Sequence, residues 1–277
     1  MVCHTLDPAM PVLLRPDGTV QVGWDPRRAV VVRPPDGLPS AELAKLLRAM
    51  QGGVSPDDLA ALGLAHGLTD VGLLTSALTS AGVLRTQAPP RAARSASIRI
   101  HGRGPLSDLL AGALRCSGSR VVTSRLRHAA VNSAGTDLVV LSDFLVTDPH
   151  IVRELQSAGV PHLPVRIRDG VGLIGPLVLP RVTSCLNCAD LHRGDRDPSW
   201  PMVAAQLQGV VGTADRAAVL ATAAVALDQV NRVIDAVRGD RRGDEPPPTL
   251  GATLEFDIAT RSTTVRRWTR HPRCGCK

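Results

Sequence analysis

Lysine is almost missing from this chain. Of 32 basic residues only Lys45 and Lys277 are lysines, and all the others are arginine. That excludes a phosphate loop of the G-x-x-x-x-G-K-[ST] type and leaves a Schiff-base lysine almost no candidate. Aromatic residues are equally scarce, with two Phe, three Trp and no Tyr. Single-strand nucleic-acid binders stack bases on aromatic platforms, so that class is disfavoured. Long apolar runs are short too. Gly170–Pro180 and Ala217–Leu227 have eleven residues each, where a membrane helix needs about 20. No basic segment followed by an apolar run opens the chain, so neither a secretory signal nor a membrane anchor is expected.

What remains is a chain of 277 residues, 44% hydrophobic and 21% charged, with a net charge of +7. Such a composition supports a sizeable core and rules out wholesale disorder. The positive charge is spread along the whole sequence. That distribution suits a basic solubilising surface better than a polyanion site.

The character changes near residue 86. Thr86–Ser97 is rich in Pro, Ala and Arg and reads as a linker. A second polar break spans Gly239–Pro248. The expected organisation is residues 1–86, a linker over 87–97, and a second domain over 98–277. In the first part, Val12–Leu14 and Thr19–Trp24 flank a Pro16-Asp17-Gly18 turn, and Ala29–Val32 makes a third strand. Three helices follow, with Ser40, Ser55 and Thr69 as expected caps. This is a small α+β unit of winged-helix shape. Its last helix, Asp70–Ala81, contains no Arg or Lys. DNA binding draws most of its affinity from phosphate contacts, so this helix is poorly equipped for it. Pairing of an extended peptide with a strand edge is the favoured use. The candidate peptide-binding residues are Val30, Val31, Val32, Leu74 and Leu78.

After the linker, strands alternate with helices, which predicts an α/β domain with a doubly wound, mostly parallel sheet. Asp215–Arg238 is one long helix, with an apolar stripe through Val219, Leu220, Ala223, Leu227, Val230, Ile234 and Val237. His101-Gly102-Arg103-Gly104-Pro105-Leu106-Ser107 follows a strand and opens a helix, the setting of a dinucleotide fingerprint. Ser107 replaces the third glycine, and no acidic residue for ribose is evident about twenty positions on. The loop therefore predicts the fold geometry without nucleotide.

The six cysteines fall into two classes. Cys3 and Cys116 stand alone, Cys116 reading as a small hydrophobe buried in a helix. Cys185 and Cys188 form C-x-x-C, and Cys274 and Cys276 form C-x-C. Two close pairs far apart in sequence suit four thiolates around one structural zinc ion per chain. A redox pair or two disulfides is the competing reading, which a reducing, cytoplasmic setting disfavours. The histidines show no catalytic spacing.

These features resemble the ThiF-like, ubiquitin-activating superfamily. Gly175-Pro176-Leu177-Val178, Ser184-Cys185-Leu186-Asn187-Cys188, Asp197-Pro198, Trp200-Pro201 and the ending His271-Pro272-Arg273-Cys274-Gly275-Cys276 look like its bacteriocin biosynthesis cyclodehydratase subgroup. The N-terminal unit is similar to the PqqD-like leader-recognition domain. The resemblance implies a protein that binds a precursor's leader peptide and partners a YcaO-type enzyme in azoline formation, with homodimers common among its relatives. It also implies losses. Asp143 matches the superfamily's Mg²⁺-binding Asp, but Phe144 stands where Asn is expected. The ribose Asp is absent, and the catalytic Lys has no counterpart. Gly102, Gly104, Ser107 and Asp143 would form a degenerate nucleotide site, with no catalytic residue and no ATP use by this chain. The alternatives are an active adenylating enzyme acting on a carrier protein's C-terminus and a winged-helix DNA-binding regulator.

Overall fold

The computed structural model describes residues 3–68, 70–87, 94–125, 135–239 and 246–276. The chain divides into two compact units, Met1–Arg91 and Ala92–Lys277.

The first unit contains β1 (Cys3–Leu6), β2 (Val12–Leu14), β3 (Val20–Val22), β4 (Val30–Val32), α1 (Ser40–Met50), α2 (Pro56–Ala65), α3 (Val71–Ser80) and β5 (Leu84–Gln87). β2, β3 and β4 form an antiparallel meander, and β1 pairs antiparallel with β5. The turn before β3 works as its residues dictate. Gly18 sits at φ 78, and the Asp17 carboxylate accepts bonds from the Thr19 amide and hydroxyl. The core gathers Leu6, Val20, Val22, Leu43, Leu47, Met50, Leu59 and Leu78. Ser55 caps α2 by accepting from the Asp58 amide. The other expected caps differ. α1 is preceded by Pro39 and has no side-chain cap, while Asp70 caps α3 through the Gly72 and Leu73 amides. Thr69 lies outside the described residues.

β5 runs to Gln87 and the next strand opens at Ser97, so the segment between them is shorter at both ends than the expected linker. Its residues 88–93 lie outside those described. The β1–β5 pair was not expected. Its strands are four residues each, too short to show a period against flanking turns.

The second unit contains β6 (Ser97–His101), α4 (Pro105–Leu114), β7 (Arg120–Ser124), β8 (Leu138–Ser142), α5 (Pro149–Ser157), β9 (His162–Arg168) and β10 (Val171–Ile174). It continues with α6 (Leu186–Arg196), α7 (Trp200–Leu207), α8 (Arg216–Arg238), β11 (Ala252–Asp257) and β12 (Ser262–Arg267). One seven-stranded sheet runs β12-β11-β10-β9-β8-β6-β7. β7, β6, β8 and β9 are mutually parallel, and β10, β11 and β12 extend the sheet as an antiparallel meander. From β6 the chain goes outward to β7, then returns to β8 on the other side. The carboxyl ends of β6 and β8 therefore border a switch point, where open α/β sheets form their ligand crevice.

α8 is, among the described residues, the one helix long and apolar enough to cross a membrane. It packs instead against α4, β9 and β10. Its buried face is Ala218, Thr222, Ala223, Ala226, Gln229, Val230 and Ile234. Six residues of the expected stripe lie in or against this core, and Leu220 alone departs from it, 45% exposed. Thr222 joins the buried face by close approach. A Cβ on Gly172 of β10 would stand 2.1 Å from Thr222 Oγ1, so only small residues fit there. Gln229 is buried because its side-chain oxygen accepts from the Thr249 hydroxyl at 2.8 Å. Cys116 also differs from expectation, lying exposed in a 3₁₀ turn, Arg115–Ser117.

His162, at the start of β9, is fully buried. Its Nδ1 contacts the Val160 carbonyl at 3.0 Å, and its Nε2 has no partner among the described residues. Burial outweighs that carbonyl and pushes its pKa from the ordinary 6.5 down to about 4. The imidazole is neutral in the fold, while the unfolded chain takes up a proton first as the pH falls. Stability is therefore full above the ordinary value and declines by about 3 kcal/mol down to the buried one. A His162→Leu variant should lose most of this decline when urea midpoints are followed from neutral to acid pH. An unchanged decline would assign it to other groups.

Candidate functional site

Four cysteines meet in the second unit. Cys185 precedes α6, Cys188 lies in its first turn, and Cys274 and Cys276 arrive from the C-terminal segment. All four are buried, and their sulfurs lie within 4.8 Å of one another. The closest pairs are Cys185–Cys188 at 3.7 Å, Cys185–Cys274 at 3.6 Å and Cys188–Cys276 at 3.4 Å. A disulfide would be about 2 Å. Thiolates held about 2.3 Å from a tetrahedral zinc ion are about 3.8 Å apart, so the spacing fits that ion. Burial drives the Cys185 thiol upward, and its sulfur neighbours add to this. Burial opposes ionisation of Cys274 too, but the Asn187 amide and adjacent thiols donate to it and bring it down to about 7. A divalent cation supplies the charge that such a cluster needs to deprotonate fully. An ion held by all four sulfurs would have no open position for a substrate.

A second set of contacts fixes the C-terminal segment to α6. Cys188, His192 and Asp195 are four and three residues apart, which puts them on one helical face. His271 meets Asp195 at 2.7 Å, and Arg273 also binds that carboxylate. His192 contacts the Thr269 carbonyl at 3.1 Å and packs edge-on against the His271 ring at 4.7 Å. Asn187, His192, Asp195 and His271 were not anticipated as support for the cluster. The i, i+4, i+7 spacing after Cys188 was the available signal.

At the switch point, Gly102, Gly104, Ser107 and Asp143 do come together, and the Asp143 carboxylate takes up the amides at the start of α4. Asp143 follows β8 in the left-handed region, φ 71, and is 1% exposed. Its carboxylate accepts from the Leu106 amide at 2.9 Å and the Ser107 amide at 3.1 Å, and also from the Ser107 hydroxyl. These are the first free amides of α4, because Pro105 has none. They are the donors a phosphate would use. The glycines match this arrangement. A Cβ on Gly104 would lie 2.6 Å from Asp143 Oδ1, and one on Gly102 would lie 2.3 Å from the Ser142 carbonyl oxygen. The loop is thus glycine-rich to admit the neighbouring strand end. Beside it is a cleft of about 100 Å³ lined by His101, Leu141, Phe144 and Ile151, below the roughly 300–1,000 Å³ of small-molecule sites.

In the first unit, Val30, Val31 and Val32 form β4, which pairs only with β3 among the described residues and so ends its sheet. Val31 is 49% exposed. Leu74 and Leu78 are not at the surface. They are 9% and 1% exposed, because they are the core-facing residues of α3. The exposed apolar residue of that helix is Leu73, at 74%.

A glycine-loop α/β unit carrying a four-cysteine cluster, preceded by a small α+β unit, defines the class of fold. No protein-family model matches the chain, and no curated protein does. Solved structures do. The heterocyclase TruD aligns over 100% of this chain and 43% of its own, at 15% identity and TM-score 0.66. A heterocyclase in complex with substrate and cofactor gives 14% identity and TM-score 0.66, over 100% of this chain and 39% of its own. E. coli MccB with ATP aligns over 100% of this chain and 99% of its own, at 12% identity and TM-score 0.59. The chain spans less than half the length of the two heterocyclase chains. At these identities the likeness establishes a shared fold.

Proposed function

We propose that this chain is a non-adenylating, zinc-containing component of azoline-forming machinery, which holds a precursor's leader peptide and presents it to a YcaO-type partner. The observation that carries this reading is the Asp143 carboxylate seated on the α4 amides. A chain of the same fold was solved with ATP; here the place for a phosphate is taken by a residue of the protein. Both oxygens of the Asp143 carboxylate are engaged by Leu106 and Ser107. With Phe144 where Asn is expected and no lysine between Lys45 and Lys277, the chain lacks two of the residues that the resemblance assigns to adenylation.

The peptide's place is the open edge of β4, in a unit read as PqqD-like. An extended segment there would complete main-chain hydrogen bonds along Val30–Val32, with side chains resting on exposed Val31. The chain's contribution to ring formation is then proximity, holding the reacting Cys, Ser or Thr near the partner's catalytic groups. Peptides recovered with the tagged chain from its native host, identified by mass spectrometry and titrated back, test this. Val31→Pro removes an amide from the edge and should weaken peptide binding at least tenfold. Unchanged affinity would contradict the β4 assignment. Recovery of a small carrier protein with a free C-terminal glycine would favour the adenylating reading.

A further inference from the structure

A cleft of about 310 Å³ opens in the second unit between β9, α6 and α7, and no cysteine or Asp143 lines it. Its walls are largely apolar, including Leu145, Val152, Leu173 and Leu207. Its charged lining is Arg166, Arg168, Arg193, Asp169 and Asp190, three positive groups against two negative.

Two of the arginines are already committed. Arg193 binds Asp190 at 2.8 Å and lies over the Trp200 and Trp268 rings, 5.1 and 5.0 Å from their centroids. Arg168 binds Glu255 at 3.2 Å. Arg166 has no carboxylate within ion-pair reach and no acceptor for its guanidinium among the described residues. It keeps a face open to the cleft while protein crowds it elsewhere. Burial, aided by repulsion from Arg193, pushes its pKa down to about 10, against the pull of Asp190. A guanidinium held in such surroundings without a partner is costly unless an anion completes it.

We infer that this cleft binds a carboxylate on a short apolar stem, with Arg166 as its bidentate partner. Arg168 and Arg193 are matched by Glu255 and Asp190, so Arg166 is the lining arginine left to take a ligand, and one guanidinium matches a monoanion rather than a doubly charged phosphate. Arg is the side chain whose fork fits a carboxylate, and the leucine and valine walls suit an aliphatic body. Arg193, fixed between two indoles, keeps the cleft's frame rigid. The inference stands independently of the peptide reading of β4.

The shared chemistry can come from a peptide's C-terminus or from an acidic side chain. Calorimetric titration of the intact chain with N-acetyl-leucine, N-acetyl-leucinamide, N-acetyl-glutamic acid α-amide and inorganic phosphate separates these. The free acid should bind and the amide should not. Preference for N-acetyl-leucine assigns the C-terminal source, and preference for the glutamate probe the side-chain source. Arg166→Gln should lose at least tenfold in affinity for the bound acid. It should also raise the melting temperature, because an unpaired buried charge is removed. Equal binding of acid and amide, binding of phosphate alone, no binding, or acid binding untouched by Arg166→Gln would each overturn the inference. So would an Arg166→Gln chain that fails to fold, since Arg166 would then be a structural element.

Discussion

The Cys188→Ser chain is expected to bind no zinc and to melt well below the wild type. Cys188 is fully buried, and its sulfur is 3.4 Å from Cys276 and 3.7 Å from Cys185. A serine hydroxyl is a poor fourth ligand for an ion held by thiolates. Structural zinc contributes roughly 10 kcal/mol of apparent binding energy in small domains, all of it linked to folding. Even a loss of about 4 kcal/mol lowers the midpoint of a unit this size by about 10 °C. Release should begin at the C-terminal segment, whose remaining ties to α6 are Asp195, His192 and the residues they hold. Metal analysis, a thermal scan and limited proteolysis after Thr269 read all three effects. The wild type should carry one zinc per chain, and Cys3→Ser and Cys116→Ser should match it. Wild-type metal content and melting in Cys188→Ser would remove the zinc assignment.

Asp143→Ala should be the second most damaging single change. It strips the acceptor from the Leu106 and Ser107 amides and from the Ser107 hydroxyl, all buried. Hydrogen bonds to a charged group are worth about 1.5–3 kcal/mol each, and leaving buried donors unmade costs about as much. Because the three bonds share one carboxylate and do not add, a total of about 3 kcal/mol, or about 8 °C in melting temperature, is expected. The substitution should also uncover an anion site. Inorganic phosphate should then raise the melting temperature of Asp143→Ala, by mass action at the freed amides, and leave the wild type unmoved. A phosphate effect of equal size in both chains would mean that the carboxylate does not occupy that place.

What could be read beforehand tracks how local the determining physics is. The cysteine cluster was legible because metal coordination demands two close pairs, and C-x-x-C and C-x-C supply them whatever lies between. The glycine loop was legible as geometry for the same reason. The direction of the Asp143 carboxylate was not, since nothing in Ser142-Asp143-Phe144 says that the residue will take a left-handed turn onto α4 from another strand. Leu74 and Leu78 were assigned to a surface although their i, i+4 spacing is also that of a core stripe, which is what they are. On α8, the expected stripe includes Leu220, which is exposed, whereas close packing on Gly172 places Thr222 on the buried face. Arg166 falls on the face of β9 opposite Leu163, Val165 and Ile167, a placement the alternation makes visible in sequence. That its charge goes unpaired depended on where Asp190 and Glu255 settled.

The proposal that ties these observations together is that Asp143 occupies the α4 amides a nucleotide phosphate would use, and that the chain holds a peptide without activating one through ATP. Calorimetric titration of the zinc-loaded chain with ATP and Mg²⁺ tests it most directly. The account predicts no saturable heat up to millimolar nucleotide. Saturable binding in the micromolar range, lost when Gly104 is replaced by Val, would contradict it.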